Sequence, residues 1–383
     1  MISQVVKGFV CLRLLPGSGA VSSTAVRGVQ RGTYYHHRLH YRPASFGWTT
    51  RGGGSGGHAP QSVASSSSSS SAAVAAASAA ASSNREPRQL ADAPASLLAT
   101  VEAVASDVDG TLTTPEVTVT PRTKDAIKAV LDSELAFFPA TGKASQLTRT
   151  GMYKILGEDI AAHLKAKDTP GVFIQGLVVY SGAGDEVLYE RLLDAEIVSQ
   201  VASFCEERGV SLIAYSGDEI VCSEKDAETD KIALYSEPMP SAVGPLTDAM
   251  AAGLRVHKLI LMDSKEAIDR VRPDIERLIG DRATFTQALP DMLEVLPAGA
   301  SKGHGVDVLL KHLGIDPVRL MALGDAENDV EMLRLAGVGV CVGNASPPAR
   351  AAARFMAPTN ANDGSAVAME RLLRSKEPPA GEE

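Results

Sequence analysis

Aromatic residues are scarce in this 383-residue chain, 4% of the total with a single tryptophan. Any core must therefore be built mainly from Ala, Val, Leu and Ile. Cysteine is scarce too, and Cys11, Cys205, Cys222 and Cys341 stand far apart. With no CxxC pair and no Cys/His cluster, neither a structural zinc site nor a disulfide framework is expected, and the thiols read as reduced core residues. No apolar run reaches the ~18 residues that a membrane-spanning helix needs, so a soluble protein without a membrane segment is expected. Acidic residues are missing altogether from Met1 to Asn84, a stretch with seven Lys or Arg residues. All 46 Asp and Glu residues follow it, against 30 basic ones, which leaves the rest of the chain at about −16. An acidic body lacks the basic footprint that nucleic-acid binding requires.

The opening stretch has little that could fold. Arg13, Arg27, Arg31, Arg38, Arg42 and Arg51 are interleaved with Ser, Gly and other small residues, the composition of an organelle transit peptide. The apolar patch Phe9–Leu15 is broken by Arg13 and is too short for a secretory signal. Gly52–Gly57, the serine run Ser65–Ser71 and an Ala/Ser tract to Ser83 follow. Such tracts cannot bury enough surface to offset chain entropy. His36, His37 and His40 match no standard ligand spacing. Residues 1–97 are therefore expected to be transit peptide and disordered linker, and 375–383 a disordered tail.

After Leu98 a rhythm begins. Val101–Ser106 reads as a buried strand, and Thr120-Pro121 opens an amphipathic helix with Ala126, Ile127, Val130 and Leu131 on one face. Ala136–Ala140 reads as a strand, Ser145–Leu156 as a helix and Val172–Ile174 as a strand. The alternation resumes with Lys302–Leu313 (helix), Leu320–Leu323 (strand), Glu327–Leu335 (helix), Val338–Val342 (strand) and Pro347–Ala353 (helix). This predicts an α/β fold with a parallel sheet covered on both faces. Ligands in such folds sit beyond the carboxyl ends of the strands. Between 188 and 290 the pattern differs. Leu212–Tyr215 and Glu219–Cys222 are joined by Ser-Gly-Asp as a hairpin, with helices at Ala195–Arg208 and Ala242–Ala252. Val256–Met262, Ala267–Ile279 and Ala283–Thr286 add a strand, a helix and a strand. An α+β cap at 188–290 is thus expected inside a catalytic core formed by 98–187 and 291–374.

Four segments suggest chemistry. Asp107-Val108-Asp109-Gly110-Thr111 puts two carboxylates just after a buried strand, one to attack phosphorus and one to protonate a leaving oxygen. Thr141-Gly142-Lys143 offers a hydroxyl and free amides after another strand, as a phosphate cradle. Lys302 opens a helix, where its charge opposes the dipole, a broken local rule of the kind found at functional sites. Gly324-Asp325-Ala326-Glu327-Asn328-Asp329 gathers acids after a third strand, as a hard-cation site. Each alone could be an ordinary turn or helix start. Together they supply the nucleophile, cradle, cation and metal site that phosphoryl transfer needs. His257-Lys258, at a cap strand's start, reads as an exposed strand end, with a substrate contact as the alternative, and Glu224–Asp230 as a solvated loop.

The order DxDGT to GDxxND, over about Val101–Arg374, resembles the haloacid dehalogenase superfamily. The insertion point, Leu293–Lys302 (LEVLPAGASK) and Val342-Gly343-Asn344-Ala345 resemble its Cof-like, type IIB phosphatases. The resemblance implies a Rossmannoid core and an inserted type IIB cap. It implies Asp107 as nucleophile and Asp109 as general acid/base, offering its backbone carbonyl to Mg2+. Thr141, Gly142, Lys302 and Asn328 would bind phosphate, and Asp325 and Asp329 would join Asp107 and Asp109 at the metal. Lys143 stands where many relatives carry arginine, and Gln175-Gly176 where Asn-Gly is usual. The implied substrate is a phosphorylated small molecule: a sugar phosphate, pyridoxal phosphate, FMN or a pyrimidine phosphate of riboflavin synthesis. A sugar phosphomutase and a metabolite-binding module without catalysis are the competing readings. Plant proteins with a similar FPATGK segment suggest a chloroplast location; the arginine-rich leader leaves the mitochondrion open.

Overall fold

A computed structural model of the protein describes residues 86–144, 155–182, 186–235 and 237–377. The expected leader, with its histidines and Cys11, and helix positions 145–154 lie outside the described residues. The described part opens with β1 (Arg88–Gln89) and α1 (Ala95–Leu98), then β2 (Ala103–Ser106), α2 (Pro121–Asp132), β3 (Ala136–Pro139) and α3 (Glu158–Ala166). Three short strands follow, β4 (Gly171–Phe173), β5 (Val178–Tyr180) and β6 (Val187–Glu190). The cap contains α4 (Ala195–Arg208), β7 (Ser211–Ser216), β8 (Glu219–Cys222), β9 (Ser241–Ala242), α5 (Leu246–Ala251), β10 (Lys258–Met262), α6 (Lys265–Ile279), β11 (Ala283–Leu289) and β12 (Met292–Pro297). The chain then returns through α7 (Lys302–Leu313), β13 (Leu320–Gly324), α8 (Val330–Leu335), β14 (Val338–Cys341), α9 (Pro347–Ala352), β15 (Phe355–Met356) and α10 (Gly364–Lys376).

The core sheet has the order β1-β15-β14-β13-β2-β3, and every pairing in it is parallel. All four residues of β2 are buried. Val104 packs with Ile127 and Met369 on one face, while Ala103 and Ala105 pack with Val306, Leu309 and Met332 on the other. That two-sided burial is why the strand reads as a continuous apolar run rather than an alternation. The helix-start signals act as their residues dictate. Thr120 accepts the Thr123 amide ahead of α2, with Pro121 in the first turn. Ser301 accepts the His304 amide ahead of α7, which ends at Gly314 in the left-handed conformation, φ 69°. Because β13, β2 and β3 are neighbours, the residues just beyond their carboxyl ends lie side by side.

Several boundaries differ from those expected. Arg88–Gln89, placed in the linker, pair with Phe355–Met356 as the edge of the core sheet, and Leu90 is buried. The adjoining Arg88 guanidinium lies over the Phe355 ring, and so little apolar sequence gives no strand signal of its own. Met292–Pro297, placed in the core, pairs with β10 and β11 and so belongs to the cap sheet, whose order is β11-β12-β10-β7-β8-β9. The third expected strand does not continue the parallel sheet. β4 touches it through one bridge, Ala140 to Val172, and otherwise pairs antiparallel with β5, which pairs with β6. The expected helix Glu327–Leu335 begins as a 3-10 turn over Glu327–Asp329. Among the described residues no helix is long and apolar enough to cross a membrane.

Candidate active site

The four segments converge at the carboxyl ends of β2, β3 and β13 and the first turn of α7. Lys302, 1% exposed, donates from Nζ to Asp107 Oδ1 at 2.5 Å and to Asp329 Oδ1 at 2.8 Å. Asp329 Oδ2 accepts the Asp325 amide at 2.9 Å and the Ala326 amide at 3.0 Å, which closes the loop after β13. Asp325 Oδ1 accepts the Thr111 hydroxyl at 2.7 Å. Carboxylate oxygens of Asp107, Asp325 and Asp329 lie within 4.8 Å of one another. A Cβ on Gly110, whose φ is +78°, would sit 2.5 Å from Asp325 Oδ2, so only glycine brings this turn so close to the acidic loop.

Such crowding is electrostatically expensive. Burial raises the Asp107 carboxyl well above its usual range; Lys302 opposes this, and Asp329, Asp325 and Asp109 add to it. Burial, then the Asp329 charge, push Asp325 up to about 7 against the pull of the Thr111 hydrogen bond. Burial alone would depress the Lys302 ammonium, yet Asp107 and Asp329 hold it above its ordinary value. An all-oxygen donor set with more negative charge than one lysine offsets fits a small hard cation such as magnesium. Asp109 is partly exposed, and its Oδ2 lies 3.2 Å from Lys143 Nζ. Thr141 is fully buried, and its hydroxyl accepts the Lys143 amide at 3.2 Å.

The second half of the site comes from the cap and was not legible as a motif. One face of its sheet carries Tyr215, Lys258 and Glu294, with Ile260 and Met292 beside them; the other carries Ala214, Leu259, Leu293 and Val295. Lys258 and Glu294 meet at 2.8 Å, and both are buried. Lys258 also donates to the Gly142 carbonyl at 2.8 Å and lies over the Tyr215 ring at 4.2 Å. Glu294 accepts from Gln175 Nε2 at 2.7 Å, and Gln175 Oε1 accepts from Asn328 Nδ2 at 3.1 Å. Lys143 donates to the Tyr235 carbonyl at 2.5 Å. The expectation of an exposed His257-Lys258 is thus wrong: both are 2% exposed. His257 faces away from this network, with Nε2 at 3.0 Å from Glu190 Oε1 and Nδ1 accepting the Gly217 amide. The overlooked signal was a Glu and a Lys on the inward face of otherwise apolar strands, a break in patterning that marks function. Gln175 sits in the left-handed region at φ 59°, a conformation that asparagine adopts more readily than glutamine.

Core and cap line a half-open cavity of about 280 Å3, with Asp107, Asp109, Asp325 and Asn328 from the core and Tyr215, Ile232, Tyr235, Glu237, Lys258 and Met292 from the cap.

The family of haloacid dehalogenase-like hydrolases matches residues 104–369. The chain is 37% identical over 270 residues to "Endoribonuclease YBEY, chloroplastic" of Arabidopsis thaliana, covering 69% of this chain and 45% of that protein. The match thus spans less than half of that relative. It is 31% identical over 244 residues to the "HMP-PP phosphatase" of an Enterobacter strain, covering 63% of this chain and 84% of the relative. The solved structure of the subclass IIB sugar phosphatase BT4131 superposes with a TM-score of 0.60 at 26% identity, over 70% of this chain and 98% of that one. With the strand-end acids, the buried lysine and the inserted cap, these matches show that the chain belongs to the haloacid dehalogenase-like hydrolases, as an enzyme of the Cof-like, type IIB kind.

Proposed function

We propose that the protein is a magnesium-dependent phosphatase that hydrolyses a phosphorylated small molecule through an aspartyl-phosphate on Asp107. The observation that carries this is the Lys302 bridge between Asp107 and Asp329 beside Asp325, all at adjoining strand ends. The phosphatase names of relatives support the same reading.

Asp107 Oδ attacks phosphorus, and the bond to the leaving oxygen breaks as Asp109 gives that oxygen a proton. A water, deprotonated by Asp109, then cleaves the acyl phosphate and restores Asp107. Thr141, the Gly142 amide and Asn328 hold the phosphoryl oxygens, and Lys302 balances the charge of Asp107 throughout. Asp107 and Asp325, with the Asp109 carbonyl, would hold magnesium, which when bound offsets the repulsion between carboxylates and phosphate. Asp329 would join them as a further ligand, and through Lys302 and two amides it also holds the lysine and the loop. The cap supplies the wall of the cavity that would meet the leaving group. The leader's composition and the chloroplastic relative support a plastid location.

The test is phosphate release by the full chain across a panel of sugar phosphates, FMN, pyridoxal phosphate and pyrimidine phosphates, with magnesium and with EDTA. Magnesium-dependent release supports the reading. An isomerised sugar phosphate without free phosphate would replace it with a mutase, and no turnover by the folded protein would point to a binding module.

A further inference from the structure

The cap end of the cavity sets a few polar groups in a largely apolar wall, and most of those groups are already engaged within the protein. Lys258 is held by Glu294, the Gly142 carbonyl and the Tyr215 ring. Lys143 is held by Asp109 and the Tyr235 carbonyl. Glu237 differs. It lines the cavity and is 8% exposed. The Tyr215 hydroxyl donates to its carboxylate. Its Oε2 is buried and meets no hydrogen-bond partner among the described residues. The other unpartnered buried oxygen in the cavity wall, Asn328 Oδ1, belongs to the acidic loop at the phosphate end.

A buried carboxylate oxygen without a partner destabilises the protein unless a ligand completes it. Its place narrows what that ligand is. Tyr235, two residues before Glu237, accepts from the same Lys143 ammonium that meets Asp109, which places Glu237 on the Asp109 side of the site. A cationic group is disfavoured there by two lysines. The surrounding wall is apolar, with Ile232, Ile260, Leu289 and Met292.

We propose that Glu237 is a specificity-determining residue whose Oε2 accepts a hydrogen bond from a neutral N–H or O–H on the leaving group, and that the physiological substrate is the phosphate ester of a compact, largely apolar alcohol bearing that one donor. Because Lys143 and Lys258 donate elsewhere, Oε2 has no alternative donor among the described residues, and loss of the ligand's donor strands a buried acceptor. A site built this way rejects an analogue lacking the donor by far more than a methylene-sized difference. The proposal rests on the phosphatase reading above.

The experiment uses the full chain with magnesium at pH 8 and matched pairs of probes: the three isomers of aminobenzyl phosphate, each against the methylbenzyl phosphate of the same shape. The expected result is that kcat/KM for one amino isomer exceeds that of its methyl partner by about tenfold or more. E237L should bring that ratio to near one, and E237Q, which keeps an accepting oxygen, should restore a preference. Equal turnover within all three pairs by the unaltered protein, or an undiminished preference in a folded E237L, would overturn the role of Glu237 while leaving the phosphatase intact. No release from any probe or from p-nitrophenyl phosphate would overturn the phosphatase reading itself, and this inference with it.

Discussion

Lys143 Nζ lies 3.2 Å from Asp109 Oδ2 and also takes the carbonyl of Tyr235, a residue of the cap. The lysine that follows the phosphate turn is therefore held between the proposed general acid and the cap. Lys143→Met should lower kcat/KM by about 10- to 100-fold, because a misdirected acid loses much of its contribution. Lys143→Arg should recover part of it. Steady-state kinetics on an activated and an unactivated ester check this. A leaving group that needs no proton should be hurt less, and equal loss on both esters would argue against an effect through Asp109.

The cluster of Asp107, Asp325 and Asp329 holds three carboxylates against one lysine. Asp107→Asn should reduce turnover by roughly ten-thousand-fold or more, as removal of a nucleophile does. In the unaltered protein EDTA should abolish phosphate release and added magnesium should restore it. Magnesium should also raise the melting temperature in proportion to its binding, because it neutralises charge that the fold alone leaves uncompensated. Asp325→Asn should remove that magnesium-dependent rise, which is read by thermal melting without any substrate.

How much of this was readable beforehand follows from where each residue sits. Asp107, Thr141, Lys302 and Asp325 all stand at strand ends or a helix start, and local pattern marks such places. Lys302–Leu313 and Ala195–Arg208 fall where their capping residues put them, because Ser301 and Asp194 satisfy orphan amides with their own side chains. Tyr215, Lys258, Glu237 and Glu294 could not be found in that way. They come from separate cap segments, and only the antiparallel register of β7, β10 and β12 puts three of them on one face. The same limit hid Arg88–Gln89, a strand of two exposed residues whose only warrant is the free edge of Phe355–Met356.

The Lys258–Glu294 pair offers a prediction about stability. Both partners are buried, with side chains 2% and 5% exposed. Removing one leaves the other charge uncompensated, so Lys258→Met or Glu294→Leu should each destabilise by about 3–5 kcal/mol. Replacing both with apolar residues should cost less than the sum of the two, since no unpaired charge remains. Chemical denaturation of the four proteins in the cycle measures this. Simple additivity would mean that the pair is not coupled in solution.

Glu237 gives the last prediction a pH axis. Burial is the main cause that lifts its carboxyl from an ordinary 4.5 to about 7, against the pull of Lys143 and Lys258. The folded state therefore binds this proton more tightly than the unfolded chain does. The associated stability is complete below pH 4.5 and is lost as the pH rises through about 7. A shift of that size corresponds to something on the order of 3 kcal/mol. Glu237→Gln keeps the shape of the neutral acid and cannot ionise. Relative to the unaltered protein it should gain stability from about pH 5 to pH 7 and level off above that, with least difference at the acid end. Other carboxylates titrate in the same window, Asp325 among them. The reading is thus the difference between the two proteins at each pH, in which their common contributions cancel. A difference that stays flat from pH 5 to pH 8 would mean that Glu237 ionises normally in the folded protein.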